Sequence, residues 1–218
     1  MIIAEQKTLA EIQEMVAPYR KILLVGCGTC MTFCSAGGPE EVNKLADALV
    51  AENKDMVVDK TTTPRQCAEK FIDRLKDKVG DHEAILSMAC GNGVQAVASR
   101  FPDKPVLPAL NTQFIGVEQE KGVWTENCLA CGDCILWRTG GVCPVTRCAK
   151  SLLNGACGGA SEGSCEVSKD RPCAWQEIYH ALKRLNMLHY LKGKPQVKDW
   201  PIHPGRVVRE DLREIKAT

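Results

Sequence analysis

Between Cys128 and Cys173 the chain reads CLACGDC, CPVTRC, NGACGG, GSC and PCAW, which places eight of its 13 cysteines in one short stretch. A thiolate is a soft ligand, and closely spaced cysteines aim several sulfurs at one centre, the usual protein solution for zinc or an iron-sulfur cluster. Cys128-x2-Cys131-x2-Cys134 offers three sulfurs from one loop, which suits three corners of a [4Fe-4S] cubane better than the two-sulfur knuckle typical of zinc. Cys143 is followed by Pro144, as the last cysteine of a bacterial ferredoxin run is, although eight residues separate it from Cys134 where that run has about three. With Cys148, Cys157, Cys165 and Cys173 the stretch supplies sulfur for two four-thiolate sites. Two [4Fe-4S] clusters are the reading adopted; one cluster with one zinc, and zinc alone, are the alternatives. The segment also carries six glycines from Gly132 to Gly159 and little periodicity, so metal binding is expected to supply its folding free energy.

A chain of 218 residues has room for one large domain or two small ones. At 44% hydrophobic and 25% charged it has the make-up of a soluble protein, and it lacks the run of about 18 apolar residues that a membrane span needs. The opening MIIAEQKTLAEIQEMVAPYR mixes acids and amides through what would be the apolar core of a signal peptide, so a reducing, cytoplasmic setting is expected. An odd number of cysteines in that setting argues against a disulfide framework. A net charge of +1 and 5% aromatics give no reason to expect nucleic acid.

Upstream of the cysteine stretch the pattern alternates. Thr8 and Glu11 form a capping box for a short helix closed by Pro18. KILLVG, MVVD (Met56–Asp59) and Ala84–Ser87 read as strands, and PVLPAL adds a fourth. Between them, Gly38-Pro39-Glu40-Glu41 opens a helix with Val42, Leu45, Ala46 and Leu49 on one face; TTTPRQ starts another bearing Phe71, Ile72, Leu75 and Val79; GVQAVASRF is the third. Such β-α-β-α-β-α order predicts a small Rossmann-like α/β domain with a parallel sheet over residues 1–112. Residues 113–191, entered through NTQFIGVEQEKGVW as a linker, form a cysteine-rich, ferredoxin-like metal-binding module ending in a helix with Trp175, Ile178, Tyr179, Leu182, Leu185 and Leu188 on one stripe. Residues 192–218, with Pro195, Pro201 and Pro204, form an extended tail.

Sites in open α/β sheets form where the loops after the strands converge. Cys27, Cys30 and Cys34 follow the first strand of this sheet, Cys67 the second and Cys90 the third, so five thiols are expected at one sheet edge. Cys27, Cys30 and Cys90 are favoured as ligands of a third cluster, with Cys34 or Cys67 completing the four. Gly26-Cys-Gly28 does not extend to a dinucleotide fingerprint, because Met31 stands where the third glycine belongs, and there is no P-loop. His82, His180, His189 and His203 are scattered without ligand spacing, and no acid, base or nucleophile constellation is evident.

The motifs GCGTCMTFCSAGG, SMACGNGVQ, FPDKPVLPALNT, CLACGDC, CAKSLLNGACGG and the PCAW ending, in order from about Lys21 to Leu188, closely resemble the cysteine-rich partner subunit, or appended C-terminal domain, of bacterial methylenetetrahydrofolate reductase. The resemblance implies a non-catalytic subunit with two to three [4Fe-4S] clusters, or zinc. Its partner would be a flavin-containing catalytic subunit that binds the folate, and its electron donor ferredoxin or a larger redox complex in one-carbon metabolism.

Overall fold

The computed structural model describes residues 1–195, 197–200, 205–209 and 211, so Pro201, His203 and Pro204 lie outside the described residues. Contacts divide the chain into two units, Met1–Glu126 and Asn127–Thr218.

The first unit opens with β1 (Ile2–Gln6) and α1 (Leu9–Val16). The predicted capping box is present: Glu11 N–H donates to Thr8 Oγ1 at 3.2 Å, and Thr8 N–H donates to Glu11 Oε2 at 2.9 Å. There follow β2 (Lys21–Cys27), α2 (Cys30–Phe33), α3 (Pro39–Glu52), β3 (Val57–Thr63), α4 (Glu69–Ile72), α5 (Lys76–Val79), β4 (Ala84–Met88), α6 (Gly91–Arg100) and β5 (Val106–Pro108). β2 to β5 make a parallel four-stranded sheet in the order β3-β2-β4-β5. β2 is buried on both faces, which accounts for its unbroken apolar run. Ile22 and Leu24 pack with Val42, Leu45, Ala46 and Leu49 of α3, while Leu23 and Val25 pack with Ile72, Leu75, Val79 and Val97 on the other side.

Two expectations are corrected. TTTPRQ does not start a helix: Thr61, Thr62 and Thr63 continue β3 in register with Val25, Gly26 and Cys27, a place where β-branched residues fit well. The helix expected behind them is broken into α4, a 3-10 turn at Asp73–Leu75, and α5, with Ile72, Leu75 and Val79 buried but Phe71 only half-buried. Nor is NTQFIGVEQEKGVW a linker. It supplies β6 (Leu110–Glu120) and the start of β7 (Val123–Cys128), a hairpin turning at Lys121-Gly122 with Gly122 at φ +86°. β1 pairs antiparallel with β6 to give a second sheet, β1-β6-β7, whose Ile3, Ala4 and Leu110 enter the same core as α3.

The second unit contains a 3-10 turn at Leu136–Arg138, α7 (Pro144–Arg147), α8 (Ala174–Arg184) and a 3-10 turn at Leu188–Leu191. Its core is small: Trp175, Ile178 and Leu182 are buried, with Val142, Leu152 and Leu188 packed against them. α8 stops at Arg184, and two members of its expected stripe, Tyr179 and Leu185, are exposed. No helix among the described residues is long and apolar enough to cross a membrane.

Candidate metal centres

The sheet order puts β2 between β3 and β4, so the chain leaves β2 to one side and later continues to the other. Loops after β2 and β4 therefore diverge at a switch point, where open α/β sheets form their sites. Cys27 ends β2, Cys30 opens α2, Cys67 lies in the loop after β3, and Cys90 caps α6 after β4. These four share one electrostatic neighbourhood. Burial pushes the Cys27 thiol up to about 11, the backbone N–H of Gln66 opposes the rise, and Cys90, Cys67 and Cys30 each add to it. The charges of Cys30, Cys67 and Cys90 are thus all felt at Cys27, which marks these four as the thiols the sheet edge brings near one another.

Cys34 is placed differently. It is buried in the core with Met31, Ala36 and Val42, and its Sγ lies 3.8 Å from the Met31 carbonyl. Burial is again the main cause that raises its pKa, with backbone N–H groups led by that of Ala4 acting against it.

Gln66 organises this edge and has no signal in the sequence. It is fully buried; its Nε2 donates to the carbonyls of Val25 at 2.8 Å and Gly26 at 3.1 Å, and its Oε1 accepts from Ser87 Oγ at 2.6 Å. Its backbone N–H points at Cys27 Sγ, 3.5 Å away. One side chain thus ties the Cys67 loop to the ends of β2 and β4. His82 is also buried, but it is satisfied by the Val79 carbonyl at 3.0 Å and Asp59 at 2.8 Å.

In the second unit, Cys148, Cys157, Cys165 and Cys173 line one cavity of about 20 Å³. A short irregular hairpin brings two of them in: Ser164 bridges Ser161 and Pro172, Cys165 N–H donates to the Arg171 carbonyl, and Cys173 N–H donates to the Gly163 carbonyl, each at 2.8 Å. Backbone N–H groups serve these sulfurs as they serve metal-bound thiolates. The Val167 N–H leads in holding the Cys165 thiol below its ordinary pKa, helped by the N–H groups of Ser168 and Ala149 and the charge of Arg171, and Gly159 N–H lies 3.5 Å from Cys157 Sγ. In the first loop Ala130, at φ +52°, turns its N–H to Cys128 Sγ at 3.3 Å, with Gly132 at φ +82° completing the turn before Cys134. Cys143 caps α7. Among the described residues, no three His, Cys, Asp or Glu side chains close around a single point as one ion requires.

Comparison with known proteins bears on the end of the first unit and most of the second. Residues 107–201 match the family described as methylene-tetrahydrofolate reductase C terminal. The chain is related to that reductase through this region, which holds every cysteine from Cys128 to Cys173 and none of the five at the sheet edge. No curated protein and no solved structure matches the chain.

Proposed function

We propose that this chain is an electron-transfer subunit that serves a methylenetetrahydrofolate reductase, holding [4Fe-4S] clusters on its cysteines and passing electrons from ferredoxin, or a larger redox complex, to the flavin of a catalytic partner. The observation that carries the reading is the gathering of thiols: Cys27, Cys30, Cys67 and Cys90 at the sheet switch point, and Cys148, Cys157, Cys165 and Cys173 around one cavity, in a chain related to that reductase. Cys128, Cys131, Cys134 and Cys143 form the remaining set. The clusters, when bound, supply one-electron transfer. The protein's own part is to hold the thiolates, to donate N–H groups to sulfur from Gln66, Ala130 and Gly159, and to bury Cys27 from water. A cytoplasmic setting belongs to the same reading.

A second reading has one specific support. The Cys148 cavity is about 20 Å³, nearer the size of a single ion than of a cubane, which favours a four-thiolate zinc at that position.

Iron and zinc analysis of anaerobically prepared protein, with spectra before and after dithionite, tests both. About twelve irons per chain are expected for three clusters, and about eight irons with one zinc for the second reading; stoichiometric zinc with fewer irons than that would overturn the relay. Function is tested in the complex with the flavin subunit. Replacing Cys131 by serine should abolish turnover with the physiological donor and leave dye-driven reduction at the flavin largely intact. Equal loss in both assays from an assembled complex contradicts a relay.

A further inference from the structure

Residues 197–200 form neither helix nor strand, and most of what they carry faces water: Val197 is 96% exposed and Trp200 53%. Lys198, between them, is the exception. Its side chain is 2% exposed, and no other Lys, Arg, Asp or Glu among the described residues is buried. An ammonium taken out of water must be paired and hydrogen-bonded to be tolerated. The partners of this one lie 65 residues earlier, in the second unit's first thiol loop. Lys198 Nζ stands 3.4 Å from Asp133 Oδ2 and donates to the Asp133 carbonyl. The centre of the Trp200 ring, 5.2 Å from the same nitrogen, adds a cation–π contact.

Asp133 sits between Cys131 and Cys134 in the chain. Its carbonyl oxygen, which accepts from Lys198, also lies 3.9 Å from Cys131 Sγ, so one backbone oxygen has a thiol and an ammonium on it. The charge is thereby held beside the sulfurs of Cys128-x2-Cys131-x2-Cys134, a loop whose backbone already turns the Ala130 N–H to Cys128 Sγ. The Asp133 carboxylate does not cancel it. That group is 48% exposed, so water damps its field, whereas a buried ammonium is damped far less.

We infer that Lys198 is a positioning residue for the first thiol loop: it anchors residues 197–200 there and fixes a positive charge beside the centre that the loop holds. The inference rests on the cluster reading above. A fixed cation favours the form that carries one more electron, so Lys198 raises the reduction potential of that centre above what the thiolates alone would set. The electron comes from the donor, and Lys198 neither gives nor takes a proton. Its stem covers the loop as well, but the stem alone does not supply the effect, which belongs to the charge.

Two measurements on the full chain, prepared anaerobically, test this. In the first, lysines are acetylated with an activated ester and read by mass spectrometry. Lys198 should react far more slowly than Lys44, whose side chain is 69% exposed, and Asp133→Asn should speed it. In the second, the iron-loaded chain is titrated with dithionite, following the centre whose signal Cys131→Ser removes. Lys198→Met keeps the stem and removes the charge, and should shift that centre's reduction equilibrium about tenfold toward the oxidised form, about 59 mV for one electron. Lys198→Arg should restore most of the shift, with iron content equal in all three chains. Rapid acetylation of Lys198 in the unaltered chain, a potential unmoved by Lys198→Met, or equal shifts from the Met and Arg variants overturns the inference. Absence of reducible iron from the unaltered chain defeats the cluster reading and the electrostatic role with it, and slow acetylation of Lys198 tells that result apart from a misplaced lysine.

Discussion

Gln66 carries more of the sheet-edge site than any cysteine does. Its side chain makes three buried hydrogen bonds, to Val25, Gly26 and Ser87, and its backbone faces Cys27 Sγ. Gln66→Leu keeps the approximate volume but strands two carbonyls and a hydroxyl in the core, so a loss of about 3 kcal/mol in unfolding free energy is expected, read from denaturant midpoints. Gln66→Glu should not rescue it, because a carboxylate cannot donate to the two carbonyls. Burial separates the two candidates for the fourth ligand just as sharply. Cys34 points into the core of α3 and β1, whereas Cys67 is exposed and raises the pKa of Cys27. Iron analysis of serine variants should therefore find one cluster's iron lost from Cys27, Cys67 and Cys90 variants and retained in Cys34→Ser. Loss from Cys34→Ser with retention in Cys67→Ser reverses the assignment.

At the level of elements, α6 seats against the loop that holds Gln66 because Gly93 has no side chain. A Cβ there would lie 2.8 Å from Ala89 Cβ and 3.0 Å from Gln66 Cβ. Gly93→Ala is expected to cost about 1–3 kcal/mol despite improving helix propensity, and thermal unfolding measures which effect wins. The surface charges of these elements set the response to acid. The Glu11 carboxyl is held below its ordinary value first by the Thr8 N–H, Asp73 first by Arg100, Asp81 first by Lys21, and Glu83 first by the Arg20 N–H. Folded values below unfolded ones mean stability that is present above the ordinary 4.5 of glutamate and 3.8 of aspartate, and lost as pH falls through the lowered values. Urea midpoints should accordingly drop as the pH is taken from 5 toward 3, about, and part of the drop should vanish in high salt, since all four groups are exposed. A midpoint insensitive to salt across that range contradicts this account.

For the whole molecule the two units differ in what holds them together. Met1–Glu126 has a core on both faces of its parallel sheet, while Asn127–Thr218 rests on Trp175, Ile178 and Leu182 with a few partly buried neighbours. So small a core does not by itself offset chain entropy, and under the proposed reading thiolate-metal bonds would make up the difference. Stripping metal from the full chain with a chelator under reducing conditions should raise proteolysis and amide exchange in residues 127–195 while β2 and β4 stay protected. Uniform loss of protection in both units would show that the metal sites are not local supports of the second.

The sequence alone determined what each segment needs. Its apolar runs require a strand buried on both faces at Lys21–Cys27 and its capping box starts α1, while its density of thiols from Cys128 to Cys173 is what the proposed soft-metal sites rest on. Those are local properties, set by side-chain chemistry within a few residues. Tertiary structure decided partnership. Polar β6 looks like a linker until β1, more than a hundred residues earlier, pairs with it. Which thiol at the sheet edge turns inward, which four share a cavity, and that one glutamine joins three strand-end partners all depend on strand order and long-range packing. Such contacts leave no period in the sequence, because the residues that make them are chosen for where the backbone has brought them rather than for what their neighbours are.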